Sequence, residues 1–402
     1  MTIWFETDDL FVHFDWNLQP TGIQRVALAI LAAAQARHAD KIGFCRLSRH
    51  GQLIPIGFMA LMNQCPGATA RRASAPWRAV RFITRHPARR FRDHVRRGRD
   101  ARAIAGLIVP GDVLVCLGLP WKRADYGARI AAAKRRHGLR FVLLIHDVLP
   151  LTEPRFFAPA FIASFARWFD GAVPACDKIL VGSAHVGDKV RSVCAARGLS
   201  LPPIERISFG AGFAVTGAGS PPSFAPEPFV LYVSTIGGRK NHALLLRVWR
   251  RLIGKHGVGS VPALVFVGTG EHLGAVRGAI ESGGLSGKVV IATAVGDAEL
   301  RELYRRCLVT VYPSFTEGWG LPIAESLTYG KFCVASHGGA LPEIGGDLID
   351  YFDPADDDDA TAKIERALFD RDYLAMRTAR VAATYRAPSW ETCATSVLRT
   401  SA

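Results

Sequence analysis

Short apolar runs punctuate this chain, and between most of them lie longer stretches whose apolar positions recur every three or four residues. Bounded apolar runs read as buried strands, and the periodic stretches between them as amphipathic helices. IWFETD (3–8) predicts a first strand, followed by a long loop and then a helix, TGIQRVALAILAAAQARH, entered at Thr21-Gly22. Residues 41–56 predict a two-stranded excursion around Gly51. Further strands are expected at GDVLVCLG (111–118), RFVLLIHD (140–147), KILVGS (178–183) and IERISFG (204–210), with helices over 124–137, over 158–173 and after Ser183. Alternation of this kind implies a parallel sheet covered by helices, and a strand, glycine loop and helix in succession open a Rossmann-like fold. GFAVTGAGSPPSFAPEP (212–228) is rich in Gly, Pro and Ser and has no period, so it reads as an interdomain linker. A second alternation follows, with strands at PFVLYVST (228–235), ALVFVGTGE (263–271), KVVIATAV, Leu308–Tyr312 and CVASHGG (333–339). Helices are expected after Arg239-Lys240, from near Asp297, from Pro322 and in LPEIGG. The expected division is a first Rossmann-like domain over 1–215, a linker over 216–228, a second Rossmann-like domain over 229–386 and a final helix over 387–402.

Candidate chemistry concentrates in FTEGWGLPIAES (315–326), where Glu317 and Glu325 flank seven residues. Proline suits the first helical position, which places Glu317 in the turn after a strand and Glu325 in the first helical turn. Gly318 and Gly320 keep that turn free of bulk around Trp319 and Leu321, and the N–H groups of a helix start attract phosphate. A carboxylate belongs there only if it meets hydroxyls, and a nucleotide sugar supplies both chemistries. The bland alternative is a capped helix with two solvated glutamates. Arg239-Lys240, at a loop-to-helix junction, forms a natural diphosphate clamp, whereas a merely structural basic helix start would oppose the helix dipole. His146-Asp147 closes a strand at its carboxyl end, where open α/β sheets bind ligands. ALVFVGTGE lacks the third glycine and the downstream acid of a dinucleotide fingerprint, which argues against a nicotinamide enzyme. The run Asp356 to Asp359 invites a metal reading, but acids after FDP at a helix start suit the dipole and read as solvated; no metal is expected.

Composition adds location and partners. At 402 residues and 49% hydrophobic content the chain holds two or three folded domains. Eight cysteines without a CxxC pair read as reduced and mostly buried. The N-terminus carries acids where a signal peptide carries basic residues, and no apolar run approaches the roughly 18 residues that span a bilayer, so a cytoplasmic protein, at most peripheral to the membrane, is expected. The net charge of +15 is lopsided: residues 1–220 hold 31 Lys+Arg against 15 Asp+Glu, and residues 221–402 hold 19 against 20. Arg71 to Arg102 alone has twelve arginines and two aspartates, interleaved with Trp77, Phe82, Ile83 and Phe91. Such a stretch is expected to lie on an anionic membrane surface. An RNA-binding patch and a solvated arginine-rich helix pair are the alternatives; nucleic acid is disfavoured because no RNA-binding fold signature accompanies it.

FTEGWGLPIAES resembles the two-glutamate motif of retaining glycosyltransferases of family 4, which have the GT-B fold; the likeness includes both glutamates and the Gly-aromatic-Gly-Leu-Pro between them. Trp319 stands where phenylalanine is more usual. PTGIQR resembles a glycine-loop variant of polysaccharide-assembly members, which implies close backbone approach at Gly22 and phosphate pairing by Arg25, with a plain helix cap as the open alternative. HDVLPLTEPRFF is similar to the family segment whose histidine approaches the donor sugar, and Ser183 matches a usual serine. IGGRKN resembles the Arg-Lys-Asn donor site, with Ser234 in place of an arginine found in some members. Val295 falls where the family holds the base, and SWETCATSVLRT resembles the helix that crosses back to the first domain. The resemblance is weakest over 41–110. It implies two Rossmann-like domains facing across a cleft, with a GDP- or UDP-linked sugar donor on the second and the acceptor on the first. No cofactor beyond that donor and no metal is needed, since Arg239, Lys240 and a helix start neutralise the leaving diphosphate. Glu317 would orient the sugar, His146 beside Asp147 would contact it, and Glu325 would hold the ribose. Resemblance to mannosyltransferases of exopolysaccharide assembly favours GDP-mannose and a polyprenyl-diphosphate-linked acceptor. The rival is a non-catalytic basic scaffold binding membrane or RNA, against which the intact Glu317, Glu325, Arg239 and Lys240 argue.

Overall fold

A computed structural model of the chain describes residues 1–16, 20–64, 108–213 and 224–401. The basic stretch 71–102 therefore lies outside the described residues. The chain divides into two units, one comprising 1–182, 187–209 and 390–402, the other 183–186 and 210–389.

Seven strands form the sheet of the first unit: β1 (Ile3–Glu6), β2 (Ile42–Leu47), β3 (Leu53–Ile56), β4 (Val113–Cys116), β5 (Arg140–Ile145), β6 (Lys178–Val181) and β7 (Ile204–Arg206). Their order is β3-β2-β1-β4-β5-β6-β7, parallel except for β3, which runs antiparallel on the β2 edge across the turn at Gly51. VLVC is buried along its whole length and RFVLLI after its first residue, as strands covered on both faces must be. The order reverses between β1 and β4, where Glu6 pairs in register with Cys45 on one side and Cys116 on the other.

Helices α1 (Asp8–Trp16), α2 (Gly22–His38), α3 (Phe58–Gln64), α4 (Tyr126–His137), α5 (Leu149–Thr152), α6 (Pro159–Ala172) and α7 (Ala184–Arg197) follow in chain order. Helix α1 corrects the expected strand through Asp8 and the loop after it: β1 stops at Glu6, and Leu10 and Phe14, four residues apart, are buried under α1. Two aspartates in its first turn suit the positive end of the helix dipole. Helices α4 and α6 meet at Gly127 and Gly171 so closely that a Cβ on Gly127 would lie 2.0 Å from the Gly171 carbonyl oxygen.

The second unit repeats the scheme with β8 (Phe229–Val233), β9 (Ala263–Val267), β10 (Val289–Ala292), β11 (Thr310–Tyr312), β12 (Cys333–Ser336) and β13 (Asp350–Phe352), in the order β10-β9-β8-β11-β12-β13. All its pairings are parallel. Its helices are α8 (His242–His256), α9 (Leu273–Ser282), α10 (Asp297–Arg306), α11 (Leu321–Thr328), α12 (Leu341–Gly345), α13 (Asp357–Phe369) and α14 (Arg371–Thr384). Helices α9 and α14 are additions to the expected pattern; each buries a single side chain, Ile280 or Val381, so its apolar stripe is faint. Helix α8 shows the opposite case. It buries Leu244, Leu245, Val248, Trp249 and Leu252, and the Trp249 indole donates to the Pro262 carbonyl at 3.0 Å.

The aspartate run does more than sit in solvent. Asp356 caps α13 by accepting from the N–H groups of Asp358 and Asp359, while Asp357 pairs with Arg247 and Asp358 with Arg251. Finally α15 (Trp390–Ser401) belongs to the first unit, where it packs on α2 and buries Cys393, Ala394, Val397 and Leu398. Seven cysteines are described, all buried and free of disulfides.

Because the α4–α6 crossing has no room for a methyl group, Gly127→Ala should destabilise the protein by about 1–3 kcal/mol. Urea denaturation should show a lower midpoint with an unchanged slope.

Candidate active site

In the second unit the strand order reverses between β8 and β11, and in open α/β sheets the loops leaving the carboxyl ends at such a point build the ligand site. The loop after β8 closes in a single tight turn, Gly238–Lys240, before Asn241 takes up a left-handed conformation (φ 54°) and α8 begins. Asparagine tolerates that conformation, and its side-chain amide donates to the Pro354 carbonyl at 2.9 Å. The loop after β11 is tied to it through the Phe315 N–H, which donates to the Arg239 carbonyl at 3.0 Å.

This arrangement places Glu317 between two cations. Arg239 Nη1 lies 2.7 Å from Glu317 Oε2 and donates to the Thr316 carbonyl. Lys240 Nζ lies 2.5 Å from Glu317 Oε1 and donates to the Tyr312 hydroxyl at 3.1 Å. The Tyr232 hydroxyl in turn donates to the Lys240 carbonyl at 2.6 Å. Glu317 and Lys240 are both buried. Burial pushes the Glu317 carboxyl upward, but Arg239, Lys240 and the Ser314 hydroxyl outweigh it and bring its pKa to about 2. Glu317 is thus ionised throughout the physiological range.

The loop after β12 fixes the Glu317 backbone. Ala340 N–H donates to the Glu317 carbonyl at 2.9 Å, and Gly339, at φ +68°, approaches so closely that a Cβ there would sit 2.3 Å from that carbonyl oxygen. Gly318 and Gly320 are buried, and the Gly318 carbonyl accepts from the Ser183 hydroxyl at 2.9 Å. Trp319 and Leu321 are partly buried beside them.

Helix α11 starts at Leu321, one residue ahead of Pro322, with Gly320 as its N-cap. Glu325 is therefore its fifth residue and opens the second turn, which corrects its expected place in the first. The reason is that Pro also fits the second helical position, where the N–H is likewise unpaired. Glu325 is buried, and its Oε2 accepts from the Tyr304 hydroxyl at 2.9 Å. The Tyr304 ring stacks on Tyr329 at 5.7 Å, with Phe213 at 6.3 Å, and Val295 packs against the same apolar cluster. Tyr304, Tyr312, Tyr232 and Ser314 were not singled out from the sequence: Tyr232 and Tyr312 lie in apolar runs and look like ordinary core, and nothing marks Tyr304 in a charged helix or Ser314 in a loop.

His146, Asp147 and Gly22 lie in the first unit. His146 Nε2 is 2.8 Å from the Leu117 carbonyl, so that nitrogen carries the proton and Nδ1 the lone pair. Burial lowers its pKa to about 4, which leaves the ring neutral at pH 7. Asp147 Oδ1 accepts from the Leu149 N–H at 3.1 Å and so holds the turn that leads into α5. Gly22 is the first residue of α2, whose start is closed by a capping box between Thr21 and Gln24. None of the three lines the open cavity of about 500 Å³ bordered by Trp4, Gln35, Phe44 and Phe58 at the β2–β3 edge.

A group missed from the sequence sits at the β1–β4 reversal. Glu6 Oε1 accepts from the Asp8 N–H at 2.9 Å and its Oε2 from the Tyr126 hydroxyl at 3.3 Å. Asp8 pairs with Arg46 and Arg123, whereas Asp9 accepts from the Leu119 N–H at 3.1 Å. Burial, helped by Asp8 and Asp9, raises Glu6 to about 8, and burial raises Asp9 to about 6. Asp8 moves down because Arg46 and Arg123 overcome its burial. The signal available was ETDD at the end of a strand.

Residues 219–385 match the family described as glycosyl transferases group 1. The match covers less than half of the chain. It contains Arg239, Lys240, Glu317, Glu325 and Val295. The O-antigen chain mannosyltransferase B of Escherichia coli is 33% identical over 172 residues, 43% of this chain and 45% of that protein, so the match spans less than half of the relative's length. Among solved structures, sucrose-phosphate synthase of Thermosynechococcus elongatus aligns with a TM-score of 0.60 at 16% identity over 100% of this chain and 98% of that one. Anabaena HepE, in complex with UDP and glucose, aligns at 0.56 and 14% identity, over 100% and 95%. At such identities the likeness is one of fold, and the fold is GT-B, as the resemblance implied.

The raised pKa of Glu6 has a thermodynamic consequence. Unfolded Glu6 releases its proton near 4.5 and folded Glu6 near 8, so folding is favoured by the held proton at low pH and that contribution is lost as pH rises through about 8. Glu6→Gln should therefore gain on the wild type as pH rises from 5 to 8, by up to about 1.4 kcal/mol per pH unit. Urea midpoints across that range measure the gap; a gap independent of pH would contradict the protonated Glu6.

Proposed function

We propose that the protein is a retaining hexosyltransferase that moves mannose from GDP-mannose to a lipid-linked or polysaccharide acceptor in cell-surface glycan assembly. The observation that carries this reading is the set Arg239, Lys240 and Glu317 at the carboxyl ends of β8 and β11, two cations and one ionised carboxylate within the stretch that matches the group 1 family. Cations at that position suit a diphosphate, and a carboxylate among them suits sugar hydroxyls. The mannosyltransferase relative supports mannose as the sugar and a glycan as the product.

In the transfer, the bond from the anomeric carbon to the diphosphate oxygen breaks, its electron pair stays on that oxygen, and the acceptor hydroxyl bonds to the carbon as its proton leaves. Arg239 and Lys240 stabilise the charge that develops on the leaving diphosphate, so the reading requires no metal. Glu317 orients the hexose and stabilises positive charge at the anomeric carbon. Glu325, braced by Tyr304, accepts from the ribose hydroxyls, and Val295 marks the base position. In the first unit, assigned to the acceptor, His146 offers a neutral Nδ1 to a sugar hydroxyl and Asp147 holds the adjoining turn.

Assaying hydrolysis and transfer across a panel of GDP- and UDP-sugars tests the donor: turnover of GDP-mannose above the rest is expected, and turnover confined to UDP-sugars would move the reading to a UDP-dependent transferase of the same fold. Calorimetry with free nucleotides separates the roles of single residues. Glu325→Ala should weaken nucleoside and nucleoside diphosphate alike by about tenfold, the equivalent of one charge-assisted hydrogen bond. Arg239→Ala should weaken the diphosphate far more than the nucleoside.

Among the described residues no helix is long and apolar enough to cross a membrane. The arginine-rich stretch 71–102 is assigned to an anionic membrane surface, the cytoplasmic face that presents a polyprenyl-diphosphate-linked acceptor. Replacing Arg89, Arg90, Arg96 and Arg97 by serine should reduce co-sedimentation with anionic vesicles and activity on a membrane-presented acceptor, and leave donor hydrolysis unchanged. Wild-type protein that ignores such vesicles but shifts with RNA would favour the nucleic-acid alternative.

A further inference from the structure

The two oxygens of Glu317 are divided between the two cations: Oε2 lies 2.7 Å from Arg239 and Oε1 2.5 Å from Lys240. Glu317 is 7% exposed and Lys240 8%, so little water screens the three charges. Taken together these side chains carry one positive charge, where the cations without Glu317 would carry two. The Ala340 N–H and the close approach of Gly339 hold the Glu317 backbone, which builds that balance into the loops.

We propose that Glu317 is a specificity-determining residue that sets the charge of the donor site, so that the site holds a nucleotide sugar and releases the nucleoside diphosphate left after transfer. This inference rests on the proposed function and concerns the same site. In the donor, the sugar-linked phosphate carries one negative charge. Cleavage gives it a second ionisable oxygen with a pKa near 6, so the product carries more charge at pH 7 than the donor did. Without the Glu317 carboxylate the two cations would hold the product more tightly than the donor, and turnover would then wait on release. A carboxylate lodged between them repels the added charge. The donor escapes this penalty because its hexose hydroxyls can hydrogen-bond the same carboxylate, replacing part of what Glu317 gives up when the phosphates approach Arg239 and Lys240.

The test measures the affinities of wild type, Glu317→Gln and Glu317→Asp for GDP, UDP, their hexose esters and the bare nucleosides, by calorimetry. Glu317→Gln should bind the nucleoside diphosphate about tenfold more tightly, gain less for the nucleotide sugar and leave nucleoside affinity unchanged, with product inhibition strengthened in whatever turnover remains. Glu317→Asp, which withdraws the carboxylate by one methylene and keeps its charge, should gain about twofold to threefold. If Glu317→Gln does not fold, seen as lost nucleoside binding, the aspartate variant decides, and no gain there overturns the proposal. Intact nucleoside binding with equal or weaker diphosphate binding in Glu317→Gln overturns it as well, while leaving the proposed function standing. Wild-type protein that binds no nucleoside diphosphate overturns the proposed function and this inference with it.

Discussion

The carboxylate of Glu317, shared between Arg239 and Lys240 in a nearly dry pocket, is the interaction on which the second unit's ligand-side loops depend. Burying an ion pair gains little net stability, because desolvation offsets attraction, yet removing one partner strands the others and costs about 3–5 kcal/mol. The loops after β8, β11 and β12 are therefore held in one mutual geometry by electrostatics in which any single deletion is costly. Tyr232 and Tyr312 extend that constraint into the core, since each bonds to Lys240 from a strand of the sheet.

The two strand-order reversals make an instructive pair. Each collects carboxylates at the carboxyl end of a sheet, but the surroundings drive them in opposite directions. At β8 and β11 two cations hold Glu317 ionised. At β1 and β4 the nearby cations Arg46 and Arg123 are taken by Asp8, and Glu6, left with a backbone N–H and a tyrosine hydroxyl, keeps its proton. Burial is common to both, so the difference lies in which carboxylate each arginine reaches.

Much of this architecture is legible in the sequence, for a physical reason: VLVC, RFVLLI and ALVFV are apolar because both faces of a covered parallel sheet are dry. The spacing of Glu317 and Glu325 and the pair Arg239-Lys240 were equally visible. Their ion pairing was not, since 77 residues separate Lys240 from Glu317 and only the sheet order brings them together. Helix α1 was hidden because its aspartates resemble a loop, and α9 and α14 because a helix that buries one side chain leaves scarcely any period to read. The acid cluster at Glu6 escaped notice because burial, not residue type, is what makes it unusual.

Helix α15 comes after every strand of the second unit in the sequence, yet it packs on α2 of the first. A chain emerging from the ribosome from its N-terminus therefore exposes the whole of the second unit before the first can cover that face of α2. The second unit ends at residue 389. Domains generally form in the order in which they are made. Here the order of completion is reversed: the unit begun first is finished last, and until then it presents an apolar helix face to the chaperones and proteases that survey nascent chains.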